Sequence, residues 1–578
     1  MSHRVVTVQF SRDGQREGVE LDPDREYQVR LDGGPPSTFR PPWTQVQLDE
    51  HVETLRNKGD QQPTADHLRE LGKQLGAAIH AIRGMEGALA RMSVNEHLTV
   101  WWQLDYPELA RLPWELATSD QPPYRHLLDR DISFVRKVPA ALEDVPANWP
   151  TGLNRTLRLL FVWGEDKPDD VPHAQHLPLL RKTCEDYGVD FVPREIPDVA
   201  TLAGLCAEAK GNPFHFVHVL AHGARAGNGE WGLRLKNEVA TGEQIARALR
   251  SGGTTPAIAT LSACDSANEK DSSFGSVAYY LHAYGVPFVV ASQFRLRKTA
   301  SVVSADEVYK SLLGGGDVRD LLSGIRRQLA PAGNEAWANE VVYSRYRYES
   351  LDELAVVACQ QAALRRANAI ERNARAVEKA EWPAFIAALD EETRKLSDLA
   401  TRLKASGAEP KALAETYGLL ASMQRRKARL RSEEDDEELR DALFWYEKGL
   451  QADLNSHYCG INVVHLALRL RDQKKADEYQ PVVRLSARNQ AERDFWALAT
   501  AGELEVYAGD KEKAADLYRR FAQAVAEKVE GKAAIGDALG ASKRQLEEIV
   551  VLFEDREPIR SAAEGSKRVF ESAIRRNA

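Results

Sequence analysis

Between about residues 155 and 330, short apolar runs alternate with stripes of helical spacing. Leu157–Trp163 is almost unbroken in apolar character. A strand covered on both faces needs apolar side chains in both directions, so such a run marks a buried parallel strand. Similar runs stand at Val189–Val192, Phe214–Leu220, Ala257–Ser262 and Pro287–Ser292. Helical spacing separates them at 176–187, 198–210, 242–250 and 273–284, and helices near 299–313 and 317–330 follow. Strands that alternate with helices predict an α/β domain with a mostly parallel sheet flanked by helices, here placed at 150–345.

The flanks read differently. Residues 1–40 carry strand-like bursts (Val5–Val8, Tyr27–Leu31) broken by Asp, Gly and Pro. Leu68, Leu71, Leu75, Ala78 and Ile82 form one helical stripe, a strand-like stretch follows at Leu98–Leu104, and Pro113 opens a short apolar helix start at 112–116. Residues 1–149 are expected as an N-terminal α/β part packed on the core. After about 350 only helical stripes remain, so 350–578 reads as an all-α region. Two of its stretches match: Ala467–Tyr479 and Glu505–Tyr518 each run from a helix end through a polar turn into an Ala-containing helix with a Tyr, at an offset of about 39 residues. That offset is near the roughly 34 of a tetratricopeptide unit, whose stacked helix pairs form a concave surface for peptides or partner proteins. A helical bundle without a groove is the alternative. The acidic run Glu433–Glu438 reads as a solvated loop and helix start.

With 578 residues, two to four domains are expected. The net charge of −9, from 77 basic and 86 acidic side chains, argues against a dedicated nucleic-acid binder. Cys184, Cys206, Cys264, Cys359 and Cys459 are scattered with no CxxC pair, which supports neither a disulfide framework nor a thiolate zinc site. The N-terminus shows no signal-peptide pattern and no run of about 18 apolar residues occurs, so a cytoplasmic chain without a membrane partner is expected.

Two strand ends carry candidate chemistry. Phe214–Leu220 leads into Ala221-His222-Gly223, and Ala257–Ser262 leads into Ala263-Cys264-Asp265. Open α/β sheets place their active sites at the carboxyl ends of strands. If the two strands are neighbours, His222 and Cys264 face each other at one sheet edge. A thiol is a weak nucleophile until deprotonated, and a nearby imidazole makes the thiolate accessible, as acyl transfer through a thioester requires. On the same residues, Cys264 also reads as a small buried hydrophobe and His222 as a core histidine.

The segments HFVHVLAHG and LSACDSA, followed by the strand Gly285-Val-Pro-Phe-Val-Val-Ala-Ser292, resemble the CHAT family of caspase-like cysteine peptidases. Leu112-Pro-Trp-Glu-Leu116 and Ile132-Ser-Phe-Val-Arg136 are similar to the region ahead of that family's catalytic core, and Trp445–Leu450 with Tyr458–Asn462 to the tetratricopeptide regions often fused to it. The resemblance implies a caspase-like fold and a Cys–His dyad: Cys264 as nucleophile, His222 as general base and acid, and backbone N–H groups of Gly223 and Cys264 as the oxyanion hole. It implies no cofactor and no metal. It implies a regulated hydrolase that cleaves protein substrates, switched on by an activating protease or signalling partner, as in bacterial antiviral defence or cell death. His218, of the same strand parity as His222, is expected to support the dyad or to orient His222.

The stretch Gln293-Phe-Arg-Leu-Arg-Lys298 departs from the acid-bearing segment that relatives often carry after the post-cysteine strand. Phe294 stands for its aromatic residue, and Arg297 and Lys298 stand where its acids would be. A cationic wall there repels a basic P1 residue. The counter-reading takes the pocket acid from Asp265, Glu269 or Asp271. Arg225–Trp231, rich in small residues, reads as a flexible loop beside the cleft, with Trp231 as a cleft wall or a turn anchor. Against the peptidase stand two rivals: an inactive caspase-like scaffold acting as a repeat adaptor, and another thiol acyl-transfer enzyme such as an amidase.

Overall fold

The computed structural model describes residues 2–12, 20–56, 65–90, 96–118, 132–140, 147–148, 157–164, 171–227, 230–263, 276–293, 298–313, 318–329, 339–345, 349–431, 436–492, 494–528 and 532–577. The chain divides into two compact units, Met1–Ala362 and Ala363–Ala578.

The strands of the first unit are β1 (Ser2–Ser11), β2 (Tyr27–Leu31), β3 (Ser37–Phe39), β4 (Glu96–Gln103), β5 (Ile132–Lys137), β6 (Ala147–Asn148), β7 (Arg158–Trp163), β8 (Asp190–Glu195), β9 (Phe216–Leu220), β10 (His222–Arg225), β11 (Trp231–Arg234), β12 (Val239–Thr241), β13 (Thr255–Pro256), β14 (Ile258–Ser262), β15 (Phe288–Ser292) and β16 (Glu340–Ser344). Eleven of them form one sheet in the order β3-β2-β1-β4-β5-β16-β15-β14-β9-β7-β8. Neighbours are parallel except β1 with β2, β2 with β3, and β15 with β16. β5 pairs with β16 through Val135–Val342 and Arg136–Tyr343, so the strands before residue 149 and those after 157 belong to one sheet. β16 has no counterpart among the sequence expectations. It is wholly buried and closes the gap between β15 and β5.

Alternate residues of the central strands serve opposite faces, as strand geometry requires. On one face Val217, Val219, Leu261 and Val289 pack with Leu202 of α6 (Val199–Glu208), Ile245 and Leu249 of α7 (Gly242–Leu249) and Leu281 of α8 (Val277–Ala283). On the other, Phe161, Phe216, Ile258 and Val290 pack with Leu180 of α5 (His173–Tyr187), Val308 and Tyr309 of α9 (Lys298–Leu313) and Ile325 of α10 (Val318–Leu329). Toward the amino terminus the first cluster continues through Trp102, Trp114 and Phe134, with Leu71 and Leu75 of α2 (Ala65–His80) above them. The sheet is therefore covered on both sides, which is why its strands read as continuous apolar runs.

The second unit is helical throughout its described residues. α11 (Glu349–Arg375) spans the division, and α12 (Trp382–Ser406), α13 (Pro410–Arg431), α14 (Asp436–Ala452), α15 (His457–Arg469), α16 (Gln473–Gln490), α17 (Trp496–Tyr507), α18 (Lys511–Lys528), α19 (Lys532–Leu552) and α20 (Glu557–Asn577) follow. The matching stretches read from the sequence are matching corners. Arg471 before α16 and Gly509 before α18 both adopt positive φ, at 61° and 74°. Asp472 and Asp510 then cap the next helix, accepting from Lys475 N at 3.0 Å and Lys513 N at 3.1 Å. Glycine takes the left-handed position without strain; Arg471 adopts it because the same corner must be turned.

Candidate active site

β9 is buried along its whole length between β7 and β14. Its last residue, Leu220, pairs with Trp163 on one side and Ser262 on the other. Ala221 is buried, and at His222 the chain leaves the large sheet and enters a three-stranded antiparallel sheet, β10-β11-β12. There His222 pairs with Arg234, Gly223 with Leu233, and Arg225 with Trp231. The segment expected as a flexible loop joins β10 to β11: its ends, Arg225 and Trp231, form the last rung of a hairpin, and Ala226 N donates to Glu230 O at 2.8 Å. Small residues are needed there for packing. A Cβ on Gly232 would lie 2.1 Å from Ala240 O of β12, and one on Gly164, just after β7, 2.9 Å from Leu235 Cα. β12 ends at Thr241, which opens α7 with a reciprocal cap: Gln244 N donates to Thr241 Oγ1 at 3.3 Å and Thr241 N to Gln244 Oε1 at 2.8 Å. The hairpin that begins at His222 is anchored at its far end.

The parallel neighbour β14 ends on the same rung. Ser262 pairs with Leu220, so His222 and Cys264 each follow that rung by two residues. The described chain reaches Ala263, which is buried; Cys264, Asp265, Glu269 and Asp271 lie outside the described residues. So do Phe294 and Arg297. Half-buried Trp231 opens β11, and exposed Lys298 opens α9. Cys184, Cys206, Cys359 and Cys459 are buried, and burial pushes the Cys184, Cys206 and Cys459 thiols up to about 12. These three are protonated, inert packing residues.

His218 lies two rungs below the strand end, on the α5–α9 side. It is fully buried, its ring centroid 5.4 Å from Phe161, 5.3 Å from His176 of α5 and 5.8 Å from Tyr309 of α9. Neither of its ring nitrogens hydrogen-bonds among the described residues. Burial, with a smaller contribution from His176, holds it well below the usual histidine range. His176, which the sequence reading missed, shares its Nε2 with Ser301 Oγ at 3.1 Å and is lowered to about 4 by burial.

The reading also passed over a buried ion pair. Glu115, from the apolar 112–116 segment, meets Arg136, the end of the 132–136 segment. Arg136 Nη2 lies 2.5 Å from Glu115 Oε2 and Nε 3.2 Å from Oε1, with both residues at most 1% exposed. Arg136 also donates to Ala110 O at 2.8 Å, Leu112 O at 3.3 Å and Gln293 Oε1 at 3.0 Å. Gln293 N in turn donates to Asn339 O at 2.9 Å. The pair thus fixes the residue that follows β15. Beside it, Glu340 is buried on the rung with Ser292 and raised to about 7, chiefly by burial. The only signal in the sequence was a charge at the edge of each apolar segment.

No described cluster of three or more His, Cys, Asp or Glu side chains could hold a metal ion, and no described helix is long and apolar enough to cross a membrane. A mostly parallel sheet covered on both faces defines an α/β domain, and its strand β9 runs into His222-Gly223 from the rung on which β14 ends. Family models agree: a CHAT domain matches residues 66–343, and a Tetratricopeptide Repeats-Sensor domain matches 346–468. The chain is a CHAT-domain protein with a C-terminal tetratricopeptide-like region, and CHAT domains belong to the caspase-like cysteine peptidases. Tetratricopeptide-like repeats are a protein-interaction architecture. No curated protein matched the chain by sequence.

Proposed function

We propose that the chain is a cysteine endopeptidase in which Cys264 is the nucleophile and His222 the general base and acid. The observation that carries this is the shared Leu220–Ser262 rung, after which both residues follow by the same count on adjacent parallel strands. Adjacent strands run about 4.8 Å apart, within side-chain reach of one another. The Cys264 thiolate attacks the scissile carbonyl carbon, and the tetrahedral oxyanion is held by the N–H groups of Gly223 and Cys264. His222 gives its proton to the leaving amine as the C–N bond breaks, which leaves a thioester. It then takes a proton from water, whose oxygen attacks the thioester and frees the acid and the thiol.

On this reading Arg297 and Lys298, with Phe294 and Trp231 as further pocket candidates, favour a neutral or acidic P1 residue; an acid supplied by Asp265, Glu269 or Asp271 would reverse that preference. The repeat region selects protein substrates and receives the activating partner. The resemblance to the CHAT family supports a place in bacterial defence or cell death.

A thiol-reactive peptide probe tests the reading. Labelling of the native chain, lost in Cys264→Ala and strongly reduced in His222→Ala, is the expected result. Equal labelling of the Cys264→Ala chain, or none of the native chain after activation by partners from its own cell, leaves the scaffold reading. Cleavage of a peptide library that is dominated by Arg at P1 would refute the cationic pocket.

A further inference from the structure

In the second unit, five alternate helices each carry a polar stripe at helical spacing: Asn368, Glu371 and Arg375 on α11; Arg425, Arg426 and Arg429 on α13; Tyr458, Asn462, His465 and Arg469 on α15; Glu503 and Tyr507 on α17; Gln545 and Glu548 on α19. These stripes meet one another. Glu548 takes Arg469 at 2.8 Å, Arg425 at 3.2 Å and Arg429 at 3.6 Å, with His465 Nε2 at 3.5 Å. Glu371 takes Arg375 at 2.6 Å, Arg426 at 2.7 Å and Arg429 at 3.3 Å. Behind Glu548, His465 meets Tyr507 OH at 2.6 Å, which donates to Glu503 at 2.8 Å, as Gln545 does at 3.2 Å.

The charges on this face do not balance. Five guanidiniums converge on two carboxylates, in a chain whose net charge is −9. The third acid, Glu503, is fully buried and shifted toward its neutral form by that burial. Burial alone would raise Glu548 too, yet His465 and the surrounding guanidiniums hold it well below the usual carboxylate range. The cations are not dispersed in solvent: Arg425 is 10% exposed, Arg426 11% and Arg469 20%, with Arg429 at 45% marking the open side. An excess of partly desolvated positive charge is unfavourable unless an anion completes it.

We propose that this face binds a small phosphate-bearing molecule, whose phosphate takes the place of the Glu548 carboxylate between Arg425, Arg429 and Arg469. A phosphate carries close to two charges and three acceptor oxygens, and guanidinium forks match that geometry in pairs. A single carboxylate is what Glu548 already supplies, and it leaves the excess standing. A long polyanion is disfavoured because the carboxylates of Glu371 and Glu548 stand among the arginines. The site lies wholly within the second unit and is independent of the peptidase reading.

Calorimetric titration of the full chain with inorganic pyrophosphate and tripolyphosphate tests the proposal. Saturable binding at one equivalent is expected, weakened at least tenfold in Arg429→Met and more in Arg429→Met/Arg469→Met. Both variants are checked by circular dichroism for an intact helical unit; Arg429 is exposed enough for the first to fold normally. Glu548→Gln, which removes the internal competitor, strengthens binding about tenfold. No saturable binding, equal affinity in native and Arg429→Met/Arg469→Met chains, or citrate binding as tightly as tripolyphosphate would overturn it.

Discussion

The Glu115–Arg136 pair makes the sharpest demand on the fold. Replacing Glu115 by Leu removes both charge-assisted contacts to Arg136 and leaves a guanidinium with at most 1% exposure without its counter-charge. Hydrogen bonds to charged groups are worth about 1.5–3 kcal/mol each, and breaking a buried pair from one side costs about 3–5 kcal/mol. The Ala110, Leu112 and Gln293 acceptors remain for Arg136, which places the cost inside that range rather than above it. Glu115→Leu/Arg136→Met has no stranded charge but leaves those three acceptors unmet, so it is expected to cost about 1–3 kcal/mol, less than Glu115→Leu alone. A chain of two units does not unfold as a single two-state body. The assay is therefore hydrogen exchange of β4 and β5 peptides in the intact chain, read by mass spectrometry, which reports the local opening free energy. A loss below about 1 kcal/mol in Glu115→Leu, or strictly additive single and double variants, would refute the reasoning.

Two further outcomes follow from the buried histidines and from the β11–β12 contact. His176 is lowered to about 4 and His218 is lowered well below the usual range, both first by burial, while the unfolded chain titrates near 6.5. Their neutral forms are what the fold holds, so this contribution is complete above pH 6.5 and is lost as pH falls from there toward 4, at about 1.4 kcal/mol per pH unit for each histidine. Protection of β7 and β9 should fall along that slope, and His218→Leu should flatten it; an unchanged slope counts against the assignment. Gly232→Ala puts a methyl group 2.1 Å from Ala240 O, so β11 and β12 must part. Loss of exchange protection across 231–241, together with loss of probe labelling at Cys264, is expected; an unaltered hairpin would show the contact to be slack.

Sequence patterns gave away the elements that are buried on both faces. β7, β9, β14 and β15 each stand within about two residues of the expected runs, because parallel strands between two helical layers have no polar side to interrupt them. β16 escaped notice: Glu340 at its start and Tyr343 within it break the apolar pattern, and only its place between β15 and β5 makes it a strand. The expected loop at Arg225–Trp231 is the connection between β10 and β11, and the flanking strands left no pattern because Gly223, Ala224 and Gly232 are poor strand formers in isolation. Gly232 is a strand residue here because β12 approaches it too closely for anything larger.

The candidate pair His222 and Cys264 was legible because each leaves a local mark: an apolar run stopping at a potentially reactive residue beside a small one. That the two runs are neighbours in register is a matter of hydrogen bonding between segments some forty residues apart, and no local pattern encodes it. The same holds for Arg136 beneath Gln293 and for five arginines gathered from three helices around two carboxylates. Periodicity along a chain reports which side of each element seeks burial; which elements then share that burial is decided by packing, because apolar contact carries no label for its partner.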